Sequence, residues 1–372
     1  MLSVFSSPGH YVQGRDATAS LGPEMARLGL AGPVLVVASP SAERLLAATW
    51  RETFATAGSD YAVHRFGGEC SRAEIALITG AATADRSAVL VGAGGGKALD
   101  AARAAADELR LPMVSCPTAA SNDAPCSALS VVYTPEGQFE SYRLVRRNPA
   151  LVLVDSSVVV RAPARLFSAG MGDALATWFE ARTCVAGRVR NMRGGASTGA
   201  AAALAELCHR TLLADGPQAL EAVRQQVVVP AVERLIEANT LLSGLGFESS
   251  GLAAAHAVHN GLTAVPETHA YLHGEKVAFG VLTQLVLEGA PSSETGSVLD
   301  FCTAVGLPVT LAELGLADVK RDTVEQIAVR ATAEGETIHS EPFAVDAAMV
   351  ADAILAADAL GRARPSRPSG GC

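Results

Sequence analysis

The chain has 372 residues, 49% of them hydrophobic and 18% charged, with a formal net charge of −9. This composition suits a folded protein with a large apolar core, and the length favours two domains over one. An acidic balance without a basic run argues against nucleic-acid or membrane-surface partners, and no apolar stretch reaches the roughly eighteen residues of a membrane span.

The opening MLSVFSSPGHYVQG lacks the basic-then-apolar pattern of a targeting leader. The seven cysteines, Cys70, Cys116, Cys126, Cys184, Cys208, Cys302 and Cys372, are scattered without a CxxC pair. An odd, dispersed set reads as reduced and mostly buried thiols, so a cytoplasmic location is expected.

In chain order, the first half alternates strand and helix signals. Residues 33–39 (PVLVVAS) form a short apolar run that predicts a buried parallel strand. A mixed-charge helix follows over 41–57, then a strand over 61–66 and a helix over 71–84. Residues 87–94 (SAVLVGAG) read as another buried strand running into glycines. An Ala-rich helix over 98–111 and a short strand, PMVSCP, come next. This βα alternation implies a parallel sheet covered by helices. Residues 127–145 then read as two strands joined at a Pro/Gly turn, a hairpin added to the sheet domain. ALVLVDSSVV adds one more strand. Beyond Ala162 the pattern is helical, with long segments over 197–213, 218–243 and 345–360. The expected division is a sheet domain over 1–162, a helical domain over 163–361, and a disordered Pro/Gly/Ser/Arg tail over 362–372.

Gly92, Gly94, Gly95, Gly96 and Lys97 lie between a strand and a helix. Glycines let backbone N–H groups approach an anion, and a helix N-terminus carries partial positive charge. The string is neither GxGxxG nor GxxxxGK[ST], so a tight turn without ligand remains the alternative. Asp100 reads as an acid favoured near a helix start. A second loop, residues 117–133 (PTAASNDAPCSALSVVY), offers Thr118, Ser121 and Asn122 just after a strand end. Open α/β sheets bind ligands there, although an ordinary polar loop has the same composition. Asp123 is its only carboxylate.

Four of the eight histidines cluster: His256, His259, His269 and His273. Spacings of three and four put each pair on one helix face. No HEXXH motif is present, and capping or core histidines explain the cluster about equally well. Asp173 follows AGMG and opens a helical run, where a helix N-cap is the plain reading. One Asp and two His also make an open zinc site with a fourth position for substrate oxygen. Phe247, nine residues before His256, either walls that pocket or packs in the core.

Read together, PGHYVQG, GAGGGKALDAA, PTAASNDAPCSALSVVY, AGMGDALATWFEAR, LLSGLGFESSGLAAAHAVHNGLTA and HGEKVAFG resemble the glycerol dehydrogenase family. That family lies in the wider group of iron-containing alcohol dehydrogenases and dehydroquinate synthase. The resemblance implies a dehydroquinate synthase-like fold, with an α/β parallel-sheet nucleotide-binding domain followed by an all-α domain. It places Gly94, Gly95, Gly96, Lys97 and Ala98 at the cofactor pyrophosphate. Thr118, Ala119, Ala120, Ser121, Ser127, Leu129 and Tyr133 fall on the nicotinamide side. Asp173, His256 and His273 fall at zinc, and Asp123, Phe247 and His256 at a small polyol. His259 and His269 then drop to supporting or surface roles. A homo-oligomer, an octamer in the family, is implied as well.

The chain departs from the family pattern at Ala98 and Asn122, each in place of a usual threonine, and at Ser39, in place of a usual aspartate that ends the first strand. An aspartate there hydrogen-bonds the ribose of NAD and repels the 2′-phosphate of NADP. With Ser39, NAD remains the expected cofactor and NADP use becomes possible. The expected reaction is oxidation of glycerol and related 1,2-diols to dihydroxyacetone and hydroxyketones. The alternatives are a lyase of the dehydroquinate synthase type, a glycerol-1-phosphate dehydrogenase, or a non-catalytic NAD-binding protein. The first two need a site rich in Lys and Arg, and Lys276 is the nearest obvious basic residue.

Overall fold

Buried β-branched runs make the sheet. In a computed structural model that describes residues 1–135 and 137–364, strands β1 (Tyr11–Gly14), β2 (Val34–Ala38), β3 (Tyr61–Arg65), β4 (Val89–Gly94), β5 (Met113–Pro117) and β8 (Leu151–Asp155) pair in parallel. Their order is β1-β8-β5-β4-β2-β3. Every residue of β2, β4, β5 and β8 is buried, as a parallel sheet covered on both faces requires. Helices α1 (Leu21–Arg27) and α2 (Pro40–Ala57) pack with one apolar cluster, and α3 (Arg72–Ala84) and α4 (Gly96–Leu109) with another. The hairpin β6 (Leu129–Tyr133) and β7 (Phe139–Leu144) forms a separate two-stranded sheet, as the sequence pattern predicts.

After a one-turn helix α5 (Ser156–Val159), Pro163 caps the long helix α6 (Ala164–Gly187). The rest is helical: α7 (Gly199–Arg224), α8 (Pro230–Glu237), α9 (Ser243–Ser250), α10 (Ala254–Thr263), α11 (His273–Leu287), α12 (Ser292–Val305), α13 (Arg321–Ala331) and α14 (Ala347–Arg362). The single helix expected over 218–243 is three pieces. The chain breaks at Gln225–Gln226, where Gln226 is left-handed, and restarts at Pro230, whose missing N–H suits a first helical position. A π-helical turn, Ala238–Leu242, then joins α8 to α9.

The expected disordered tail lies outside the described residues from 365 onward. Arg362 closes α14, and Arg364 pairs with Asp300. Among the described residues, no helix is long and apolar enough to cross a membrane.

Candidate active site

The chain turns outward from β2 to β3, then returns to place β4 on the other side of β2. Ligands of open α/β sheets bind beyond the strand ends at such a reversal. Ser39 directly follows β2 there and Gly94 ends β4; a Cβ on Gly94 would lie 3.1 Å from the Ser39 Cβ. Gly95 caps α4 without a side chain, which leaves the first amides of the helix for an anion. Gly96 and Lys97 line a cavity of about 240 Å³ that continues past Ser121, Asn122, Asp123, Ser127, Leu129 and Tyr133 to Asp173, His256 and His273. The glycine loop, the polar loop and the histidine cluster therefore face one space. Thr118, half-buried, is tied back by its N–H to the Gly94 carbonyl, and Ala119 and Ala120 are buried beside it. Ala98 is buried in the first turn of α4.

Asp173 is not a helix cap. It sits in the middle of α6 and is fully buried. Close backbone approach puts it there: a Cβ on Gly170 would overlap the Ala120 carbonyl, and one on Gly274 would overlap the Ala169 carbonyl. These glycines let α6 press against both the polar loop and the start of α11. His256 comes from α10 and His273 from the first position of α11. Asp173 Oδ1 lies 3.0 Å from His273 Nε2 and 3.5 Å from His256 Nε2. One donor atom from each residue falls within 4.8 Å of the other two.

The outer nitrogens of both rings are also held. Glu180, two turns beyond Asp173 on α6, accepts from His256 Nδ1 at 2.6 Å and from the Ala253 and His256 amides. His273 Nδ1 meets His259 Nε2 at 2.9 Å, and His259 Nδ1 meets Asn260 Oδ1 at 3.1 Å. With Nε2 of each ligand facing the site, this network assigns His273 as donor to His259 and His259 as donor to Asn260. Burial, with the nearby His273 and Lys276 charges, holds His259 well below the usual histidine range, as a neutral acceptor requires. Burial opposes charge on His256, but Glu180 and Asp173 outweigh it and hold that ring well above its ordinary value. An anchored histidine whose second nitrogen bonds a carboxylate is the usual setting of a metal ligand. One carboxylate and two imidazoles with an open fourth side therefore fit a zinc ion. Thr177, four residues past Asp173, adds no ligand; its hydroxyl is engaged by Ser243 at 2.8 Å.

Asp123 brings its N–H to Asp173 Oδ2 at 3.1 Å, while its own Oδ2 accepts from Ser243 at 3.0 Å. Burial and the Asp173 carboxylate push the Asp123 carboxyl well above its usual range. Phe247 is buried with Leu129 and Leu252 and also lines the cavity, so it is a core residue and a pocket wall at once. Ser127 is buried, with its hydroxyl 3.4 Å from the Ala124 carbonyl. The Lys97 ammonium lies 4.9 Å from the centre of the Tyr133 ring and pairs with Glu69 at 2.6 Å. His269 is exposed, precedes α11 rather than lying in it, and bonds the Thr263 carbonyl. The expected four-residue helix pair with His273 is absent. Asp100, read as a helix-start acid, is instead buried against Arg103, whose guanidinium also reaches the Leu129 and Ala124 carbonyls. That pair ties α4 to both walls of the cavity.

Sequence reasoning missed Glu180, Ser243 and Asn260. Glu180 had a signal: it lies seven residues after Asp173, on the same helix face. Ser243 and Asn260 had none: the contacts that tie them to the polar loop and the hairpin, to Asp123 and Tyr142, span 120 and 118 residues.

Behind Glu180, burial and the neighbouring Glu288 push the Glu341 carboxyl up to about 8, with Glu180 adding to the effect. Glu341 Oε1 accepts from the Ala254 amide, while Oε2 has no donor and becomes satisfied when a proton on it points to Glu288. A raised carboxyl stabilises the fold below its unfolded value, and that contribution is lost as pH rises through the folded value. Melting temperature is expected to fall as pH rises from about 5 to about 8, a contribution on the order of a few kcal/mol. Glu341→Gln keeps a neutral donor toward Glu288 and should flatten that slope. An unchanged slope in the variant would place the titration elsewhere.

Residues 8–156 match the model of the iron-containing alcohol dehydrogenase family. A glycerol dehydrogenase of Escherichia coli is 51% identical over 96% of this chain and 97% of its own length. A glycolaldehyde reductase of Halobacterium salinarum is 48% identical over 97% of this chain and 99% of its own. The crystal structure of glycerol dehydrogenase from Schizosaccharomyces pombe superposes with a TM-score of 0.93 at 37% identity, covering 97% of this chain and 91% of that one. The chain belongs to the glycerol dehydrogenase family.

Proposed function

We propose that this chain oxidises glycerol and related 1,2-diols to dihydroxyacetone and the matching hydroxyketones, using NAD and one zinc ion per chain. The observation that carries this reading is the convergence of Asp173, His256 and His273 on a cavity that also opens to Asp123 and the glycine loop. Zinc held by these three residues would supply Lewis-acid polarisation of a substrate hydroxyl. NAD would accept the hydride from the carbinol carbon, and the hydroxyl proton would leave to solvent.

The protein's own part is placement. Gly94, Gly95, Gly96 and Lys97 offer the helix N-terminus to the pyrophosphate, with Ala98 behind them. Thr118, Ala119, Ala120, Ser121, Ser127, Leu129 and Tyr133 bound the space for the nicotinamide. Asp123 accepts a hydrogen bond from a second substrate hydroxyl, and Phe247, with Leu129 and Leu252, keeps water from that wall. Glu180 and His259 hold the two ligand rings in aim. Among the described residues that line the cavity, Lys97 is the sole Lys or Arg, and it is already paired with Glu69. A phosphorylated substrate, as the lyase and glycerol-1-phosphate readings require, finds little support in that lining. Glycerol-dependent NADH formation, assayed with dihydroxyacetone and glycolaldehyde in the reverse direction, tests the reaction and its substrate range.

We also propose a two-domain division at 162/163 and a homo-oligomeric, cytoplasmic protein, an octamer by resemblance. The six described cysteines are free and buried, which suits a reducing compartment.

Cofactor choice centres on Ser39. Its Oγ accepts from the Ala42 amide at 3.2 Å and lies 3.1 Å from the Ser41 hydroxyl, so it caps α2 and brings no charge to the ribose. Discrimination against NADP should therefore be weaker than an aspartate would give. Aspartate is an equally good cap, so Ser39→Asp should leave the helix intact. It is expected to lower kcat/KM for NADP by about tenfold more than for NAD, which corresponds to about 1.4 kcal/mol. Equal changes for both cofactors would move the choice to another residue.

A further inference from the structure

Asp123 meets the cavity with one carboxylate oxygen already engaged. Its Oδ2 accepts from the Ser243 hydroxyl at 3.0 Å, and the Ser243 oxygen lies 2.8 Å from the Thr177 hydroxyl. A hydroxyl carries one proton, and Ser243 gives it to the carboxylate. The chain therefore runs in one direction: Thr177 donates to Ser243, and Ser243 donates to Asp123. Both hydroxyl residues are buried, Ser243 at 0% and Thr177 at 1% exposure. No protein group among the described residues hydrogen-bonds Asp123 Oδ1.

Three elements meet to make this chain. The π-helical turn Ala238–Leu242 shifts the helical phase just before Ser243, and such turns favour functional sites. Asn239, in that turn, donates to the Ala120 carbonyl at 3.1 Å and pins the loop that carries Asp123. Gly244 sits directly under that loop: a Cβ there would lie 2.9 Å from the Cys126 Cβ and 3.1 Å from the Asp123 carbonyl. Gly246 leaves room for the Thr177 methyl, 2.5 Å from where its Cβ would be. The sequence string SGLG is thus a shaped seat for Asp123 and Thr177.

We propose that Thr177 and Ser243 are positioning residues that hold Asp123 with Oδ1 toward the cavity, and that this sets a preference for diols over single-hydroxyl alcohols. The proposal rests on the reading of Asp123 as a substrate contact. A secondary alcohol with one hydroxyl has nothing to offer Oδ1, so the chain matters only when a second hydroxyl is present. Losing one hydrogen bond to a charged acceptor corresponds to about tenfold in affinity.

The test compares glycerol, 1,2-propanediol and 2-propanol as substrates of the zinc-loaded protein, with Ser243→Ala, Ser243→Thr, Thr177→Val and Asp123→Asn. Zinc content and melting temperature are measured for each. Ser243→Ala should raise KM for both diols about tenfold, change kcat little, and leave 2-propanol within about twofold. Ser243→Thr should restore the diol values. Thr177→Val, which keeps side-chain shape, should show the same split at about threefold, and it decides the matter should Ser243→Ala lose zinc or fail to fold. Where turnover of 2-propanol is too slow to measure, dissociation constants from calorimetric titration give the same comparison. Equal losses on all three substrates would reduce the chain to general structural support and overturn the proposal. So would undisturbed diol kinetics in Ser243→Ala alongside a diol-specific defect in Asp123→Asn; the Asp123 reading would then stand without the chain. Undisturbed diol kinetics in Asp123→Asn itself would remove the reading and the proposal together.

Discussion

Asp173→Asn is expected to cost the protein its metal and more than about a thousandfold of its kcat/KM for glycerol, roughly 4 kcal/mol of transition-state stabilisation. Asp173 supplies the only carboxylate of the three-residue donor set. The amide keeps the shape of the side chain, so the packing of α6 against the Ala120 and Gly274 backbones should survive. What changes is charge. In the metal-free protein, Asp173 is held below the usual carboxylate range despite burial, because the His273 and His256 rings favour its anion. A neutral amide removes that attraction and offers a weak ligand. Zinc content by elemental analysis, read beside a melting curve, separates metal loss from unfolding. A folded Asp173→Asn protein with full zinc and full activity would remove Asp173 from the site.

Asp123→Asn is the second large effect. If Oδ1 accepts a substrate hydroxyl, exchanging carboxylate for amide weakens a charge-assisted hydrogen bond of about 1.5–3 kcal/mol. The expected result is a loss of about tenfold or more in kcat/KM for glycerol, chiefly through KM, with zinc content unchanged. Two opposing influences bear on this residue. The Asp173 carboxylate beside it and burial disfavour its charge, while Ser243 and His256 favour it. The amide also relieves the electrostatic repulsion between Asp123 and Asp173, so thermal stability should not fall. Unchanged glycerol kinetics in the folded variant would reduce Asp123 to a loop residue.

The sheet and its glycine loop were legible in the sequence because both rest on local signals. Continuous apolar runs at β2, β4, β5 and β8 mark buried parallel strands, and glycines directly after β4 mark the anion-binding turn. The site was legible only in part. Asp173 reads as a cap from its neighbours, because nothing local shows that α6 begins nine residues earlier at Ala164. His256 and His273 are on different helices, so neither of the histidine spacings names the ligand pair; the resemblance does. The spacings instead suggest a His269–His273 helix pair, which the 3-10 turn Pro266–Thr268 and the late start of α11 prevent. The partners that aim the site are long-range. Glu180 meets α10, Asn260 meets the hairpin through Tyr142, and Ser243 meets the polar loop. Packing of the helices on one another, on the polar loop and on the hairpin brings them together, and of these partners only Glu180, on the helix face of Asp173, leaves a spacing in the chain.

Metal reconstitution tests the central claim most directly. The protein is stripped with a chelator, its metal content is measured, and glycerol-dependent NADH formation is followed as zinc or ferrous iron is added back. Activity should vanish in the stripped protein and return with zinc at one ion per chain, since three protein ligands and an open fourth side suit that ion. Undiminished glycerol oxidation in the metal-free protein, or recovery with iron and not with zinc, would contradict it.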